Sequence, residues 1–385
     1  MNSKFIPFSP PWIGEEEINE VIDTLRSDWI TTGPKVKRFE EEFSKYFRTP
    51  SALALNSCTA ALHTALVTLG IGEGDEVITT PMTFCASVNV IEHVGARPVL
   101  VDVEPDTLNI DPNKIEAAIT KNTKAILPVH YSGHPVEIDT IYNIAEKYGL
   151  FVIEDAAHAI YAKYKGRFIG ASNNPVAFSF YATKNLTTAE GGMLTGTPEF
   201  IEKARIISLH GMSRDAWKRY SKEGSWYYEV VFPGFKYNMT DIQASIGLWQ
   251  LRKLEDFQKR RKEIVRIYNE AFSREEALEI PVERPEVEHS WHLYVLRLNL
   301  NMLKINRDQF IEELKLRNIG TSVHFIPIHL HPYYKNKYGY KPNDFPVAYN
   351  NYLRIISLPL YPKLTDQEVY YIIDSVLEII KKNRR

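Results

Sequence analysis

Val176-Ala-Phe-Ser-Phe-Tyr-Ala-Thr-Lys-Asn-Leu-Thr-Thr-Ala-Glu-Gly-Gly-Met-Leu194 is the run on which the reading of this chain turns. It starts as a β-type stretch, sets a lysine among hydroxyls and closes on two glycines. A lone lysine is ordinarily a solvated surface charge. Lys184 stands apart because a strand precedes it and polar side chains surround it. A lysine amine can form a Schiff base with an aldehyde cofactor, given polar groups to hold the cofactor and a carboxylate to tune its ring.

Upstream, Leu150-Phe-Val-Ile-Glu-Asp-Ala-Ala-His158 predicts a buried parallel strand that stops at two acids. Asp155 and His158 then fall just past its carboxyl end, where open α/β sheets place ligands. A carboxylate there can pair with a protonated pyridine nitrogen and make the ring an electron sink. The competing reading makes Asp155 the N-cap of an Ala-rich helix. In Ser51-Ala-Leu-Ala-Leu-Asn-Ser-Cys-Thr-Ala-Ala-Leu-His63 a short apolar strand passes into an Ala/Leu helix. Free N–H groups at that helix start, with the Ser57 and Thr59 hydroxyls and the Ala60 amide, suit a phosphate. Capping without a ligand accounts for the same residues.

The chain has 385 residues, enough for two domains, with 44% hydrophobic and 24% charged residues. Its 46 basic and 48 acidic residues leave a formal charge of -2, which gives no footprint for nucleic acid or a membrane surface. Cys58 and Cys85 are too few for a disulfide framework and read as reduced. No run has signal-peptide or membrane-spanning character, so a cytoplasmic protein is expected.

Strands alternate with helices through Pro98–Asp102, Ile115–Ile119, Ala125–His130 and Ile138–Tyr148. That pattern predicts an α/β unit, a mostly parallel sheet with helices on both faces. Gly70-Ile-Gly-Glu-Gly-Asp-Glu-Val77 leads into a strand rather than from one, so it is a turn and not a dinucleotide fingerprint. From about residue 255 the pattern shifts to a smaller α+β unit, with a strand at His289–Leu298 and a helix near Arg307–Arg317. The expected division is 1–254 and 255–385. His289, His292, His324, His329 and His331 have no acid or cysteine at ligand spacing, so no metal is expected.

The segments Glu154–His158, Phe178-Ser-Phe180 and Lys184–Gly192 resemble the DegT/DnrJ/EryC1/StrS family of pyridoxal-phosphate-dependent nucleotide-sugar aminotransferases. The likeness runs from the first residues to about Pro362. Within the family it is most similar to enzymes that aminate UDP-4-keto sugars, UDP-4-amino-4-deoxy-L-arabinose aminotransferase among them. The resemblance implies an aspartate-aminotransferase-like (fold type I) architecture with pyridoxal 5'-phosphate bound through Lys184. It implies cofactor contacts at Ser57, Thr59, Ala60, Phe84, Asp155, His158, Ser179 and Asn238. Thr32, His324 and His329 match positions that face substrate. Glutamate and a nucleotide-linked keto sugar would be the reactants, in a ping-pong exchange that leaves 2-oxoglutarate.

In the family the stretch from His210 to Asp241 crosses into a neighbouring subunit, so a homodimer with shared sites is implied. Two other readings remain. Family members that dehydrate keto sugars carry histidine in place of this lysine, so Lys184 argues against that activity. A non-catalytic regulator would have no need of Lys184, Asp155 and Ser179 together.

Overall fold

The computed structural model describes residues 4–212 and 227–385, so part of the stretch from His210 to Asp241 lies outside the described residues. One sheet of two joined halves organises the first unit. In the first half the order is Ser51–Leu55, Gly192–Gly196, Val176–Ser179, Glu154–Asp155. In the second it is Arg97–Leu100, Glu76–Thr79, Thr123–Ile126, Phe151–Val152. The halves meet because the 151–152 strand continues through Ile153 into 154–155, and Val129 bridges Asp155 in parallel. Gly192–Gly196 runs antiparallel to both its neighbours. The strands ending at Leu55, Asp155 and Ser179 therefore open on the same edge.

Alternation along each strand sends side chains to opposite faces. Ala52, Ala54 and Phe178 join a core with Phe39 and Phe43 of helix Pro34–Phe47 and with Leu248 and Leu251. Leu53, Leu55 and Ala177 join another with helix Cys58–Thr68 and with Ile201 and Ala204. A sheet covered on both faces needs strands apolar throughout, as these are.

Two expectations are corrected here. The strand read at His289–Leu298 is confined to Tyr294–Leu298, and residues 289–292 form a buried turn with Trp291 at φ 49°. The boundary expected at residue 255 lies inside one helix, Asp241–Phe272. No glycine or proline occurs between Leu248 and Phe272 to stop it. Its Leu248, Leu251 and Leu254 serve the first unit's core; its Ile264, Val265, Tyr268 and Phe272 serve a second core. That second core sits on the antiparallel strands Leu278–Glu279, Tyr294–Leu298 and Ile355–Leu358, and it takes in Ile6 from the amino-terminal stretch. The division expected at 254/255 thus falls inside a shared helix.

The start of that helix fixes another. Thr240 caps its own helix, while the buried Asp241 carboxylate accepts from the amides of Gly33 (2.9 Å), Lys35 (3.1 Å) and Val36 (2.9 Å), at the start of Pro34–Phe47. Those amides have no intrahelical acceptors. Asp241→Ala should lower stability by about 2–4 kcal/mol, since it strands buried donors as well as removing a cap. Denaturant unfolding reads this directly, and a loss below about 0.5 kcal/mol would show that water or another group takes over.

Candidate active site

At the shared sheet edge, Ser57 N-caps helix Cys58–Thr68, its Oγ accepting from the Ala60 amide at 3.0 Å. Thr59, one turn position on, is exposed. The second glycine of the opening run explains itself here. A Cβ on Gly192 would lie 2.5 Å from the Ser57 carbonyl carbon and 2.6 Å from the Cys58 nitrogen, so only glycine lets this strand pass under the helix start. The neighbouring strand ends at Ser179, whose Oγ accepts from the Tyr181 amide at 3.4 Å. The chain then turns, with the Lys184 amide donating to the Tyr181 carbonyl at 2.9 Å.

Asp155 ends its strand buried, and no helix follows it, which removes the N-cap reading. Its Oδ2 accepts from Ser87 Oγ at 2.7 Å, and its Oδ1 from the Ala157 amide at 3.0 Å. Thr83 Oγ1 lies 2.7 Å from Ser87 Oγ and extends the chain of hydroxyls. Burial raises the Asp155 pKa, opposed by those hydrogen bonds and by Lys184. For Lys184 burial acts the other way, pulling the amine down to about 8 against the field of Asp155. Desolvation thus works against the charged form of each. Cys58 sits near both, its thiol kept protonated by burial.

Three histidines complete the surroundings of the amine. His158 Nδ1 accepts from the Ser132 amide at 3.2 Å. His292 Nδ1 lies 3.1 Å from Asn185 Oδ1, and His324 Nδ1 lies 2.8 Å from Ser357 Oγ. Burial first, and the Lys184 charge second, hold His158 and His292 well below the usual imidazole value and His324 at about 3. All three are neutral at neutral pH. Phe84 is 59% exposed, with its ring 6.0 Å from that of Phe325. Phe325 in turn stacks on His158 at 5.6 Å.

Lys184, Asp155, His158 and His324 are therefore brought together, with Ser57, Thr59, Ser179 and Phe84 on the same edge. The Ala60 amide is already engaged by Ser57. Thr32 and Asn238 pair with each other, Asn238 Nδ2 to Thr32 Oγ1 at 2.5 Å, and Thr32 does not cap the next helix. His329 is a correction. It is fully buried, with Nε2 3.1 Å from the Pro342 carbonyl and its ring 4.9 Å from Phe345, so it packs the core rather than lining this opening. Sequence reading missed Ser87, Asn185, His292 and Phe325 as site residues. Ser87 alone left a signal, one helical turn after Phe84.

The model of the DegT/DnrJ/EryC1/StrS aminotransferase family matches residues 11–377. The chain belongs to that family. It is 59% identical over all 385 residues to an uncharacterized protein of Methanocaldococcus jannaschii, covering the whole of each. It is 53% identical to the spore coat polysaccharide biosynthesis protein SpsC of Bacillus subtilis, over 98% of this chain and 97% of the relative. The solved PMP form of Spr1654 of Streptococcus pneumoniae, named as a candidate sugar aminotransferase, superposes with TM-score 0.92 at 42% identity, over 98% of this chain and 99% of that one. The same protein is known in a PLP form at 41% identity. This protein is a pyridoxal-phosphate-dependent sugar aminotransferase of fold type I. The comparisons support amination of a sugar without singling out the UDP-4-amino-4-deoxy-L-arabinose enzymes. Among the described residues no helix is long and apolar enough to cross a membrane.

The residues fit the cofactor: a half-buried amine, a buried carboxylate with oxygens already oriented, an exposed ring and a helix start with a free hydroxyl. The depressed amine is directly testable. In cofactor-free protein, acylation of Lys184, followed on its own peptide, should rise through an inflection near pH 8, because the neutral amine is the nucleophile and it predominates above that pH. An inflection near the ordinary lysine value of about 10.4 would contradict the dry setting.

Proposed function

We propose that this protein moves an amino group from glutamate to a nucleotide-linked keto sugar, with UDP-4-keto sugars as the first class to try, in two half-reactions. The observation that carries the reading is the placement of Lys184, in the turn after Val176–Ser179, on the sheet edge where the buried Asp155 ends the neighbouring parallel strand. Bound pyridoxal phosphate supplies an aldehyde and an electron-withdrawing ring. Lys184 Nζ would anchor it and would take and return a proton at the substrate carbon, work for which a pKa near 8 is suited. Asp155, held by Ser87 and the Ala157 amide, keeps the ring nitrogen protonated. Thr59 and the start of its helix would receive the phosphate, Phe84 would lie against the ring, and His158 and Ser179 would border it. His324 and Thr32 are left for substrate. The name of SpsC agrees with an enzyme that supplies an amino sugar for a polysaccharide.

A panel of UDP-, GDP- and dTDP-linked keto sugars, offered with glutamate and read by mass change, tests the reading. Amination of at least one is expected, and Asp155→Asn should slow it by orders of magnitude while cofactor stays attached. Near-normal turnover in that variant would show that another group protonates the ring. No transfer to any keto sugar, with cofactor trapped by borohydride on Lys184, would redirect the substrate assignment.

A homodimer with shared sites belongs to the same proposal. Distance along the sequence does not require it, since Asn238 bridges Leu55 of its own chain and the Asn56 amide donates to the Tyr237 carbonyl at 2.7 Å. Support comes instead from the apolar face left open by helix Glu15–Arg26, with Ile18, Ile22 and Leu25 exposed beside a groove that reaches Ala182 and Ala189. If Asn238 completes a partner's site, Lys184→Ala and Asn238→Ala proteins should regain activity on mixing, up to about half of the sites in a mixed dimer. Subunits that exchange without any recovery would confine Asn238 to its own site.

A further inference from the structure

Arg261 is an unusual residue in this fold. It lies on helix Asp241–Phe272, 2% exposed, and among the described residues no carboxylate pairs with it. Its Nη1 donates to the carbonyls of Leu360 (2.8 Å), Trp291 (3.1 Å) and His292 (3.4 Å), while its Nε–H is buried without a partner. A buried guanidinium without a counter-ion is costly, and one donor left unmade adds to that cost. A neutral side chain can grip the same turn, as Gln258 shows by donating to the His289 carbonyl at 2.9 Å. Simple stapling therefore does not account for a cation here.

What Arg261 grips is strained and lies next to the site. Trp291 has φ 49°, a conformation that bulky residues rarely adopt. Its amide donates to His289 Nδ1 at 2.8 Å, and the two rings lie parallel, 3.9 Å apart. The residue after it, His292, meets Asn185 Oδ1, and Asn185 Nδ2 donates to the Ser290 carbonyl at 2.7 Å. Both ends of the Asn185 amide are thus held by this turn, and Asn185 follows Lys184 directly. With Asn185 Oδ1 as acceptor, His292 must carry its proton on Nδ1.

The geometry points to Arg261 as a positioning residue for the transfer reaction: by fixing the carbonyls of Trp291 and His292, it holds the His292–Asn185 contact that sets the turn carrying Lys184. It touches neither cofactor nor substrate. Its charge also reinforces the neutral state of His292, after burial, Lys184 and His158. A neutral His292 beside the amine adds no positive charge to the dry setting that Asp155, Cys58, His158 and His324 share with Lys184. The inference rests on Lys184 as the reacting amine.

The test uses full-length protein freed of cofactor, with Lys184 acylation followed on its own peptide and folding checked by circular dichroism and thermal melting. Arg261→Met should move the inflection from about pH 8 to about pH 9 or above, as the turn loosens and water reaches the amine. It should also weaken pyridoxal phosphate binding roughly tenfold, about 1.4 kcal/mol. Arg261→Lys, which keeps a cation on the carbonyls, should recover part of both effects. A folded Arg261→Met protein with wild-type inflection and wild-type affinity would overturn the inference. Should Arg261→Met not fold, Arg261→Lys carries the test, with an inflection still displaced from the wild-type one expected and an unchanged one overturning it. The wild-type inflection and borohydride trapping report separately on Lys184, so failure of that assignment is distinguishable from failure of this one.

Discussion

Burial opposes the charged forms of both Lys184 and Asp155, which share one edge of the sheet, and the rest of the molecule is arranged around that fact. Their mutual attraction favours the ammonium and the carboxylate, but desolvation opposes both and prevails for both. Holding the amine near 8 has a consequence for stability. The unfolded lysine binds its proton up to about pH 10.4, whereas the folded one releases it above about 8. Folding must therefore carry a charged amine in a poor solvent at neutral pH, a cost on the order of 3 kcal/mol. The cost is fully present below about pH 8 and fades as pH rises towards about 10.4. Two covered sheet faces and a long shared helix offset it, and the tuned amine is what they make possible.

Much of this was legible in the chain because strands buried on both faces leave unmistakable apolar runs. Val176–Ser179 and Ser51–Leu55 announced themselves, and the polar residues at their ends then had to lie on one edge. Gly192 shows why a residue type can be read before its reason is known: the glycine was visible, but the Ser57–Cys58 backbone 2.5 to 2.6 Å from its missing Cβ was not. At His329 sequence position could not tell a ring facing a pocket from one packed on Phe345.

What escaped the sequence was set by contacts between distant segments. Asp241 is the acidic first residue of its own helix, yet its carboxylate caps the start of a helix some 200 residues earlier in the chain, a partnership that propensity does not encode. His292 looked like part of a strand because its neighbours are apolar and aromatic. The strand begins only at Tyr294, since Arg261 and Gln258 draw the preceding carbonyls onto the long helix instead. Tertiary hydrogen bonding overrode local β preference there.

The long helix links these observations. Its amino-terminal end, through Asp241, fixes the start of helix Pro34–Phe47; its middle, through Gln258 and Arg261, fixes the turn behind Asn185; its far end is embedded in the second core. An axis continuous over 32 residues bends little, so movement of the second unit against the first would be felt at the 289–292 turn rather than absorbed by a hinge at residue 255. His324, carried by the second unit and facing Lys184, would share in that movement. The second unit is thus tied to the turn beside the lysine through packed and hydrogen-bonded groups, along one continuous helix rather than across a break at residue 255.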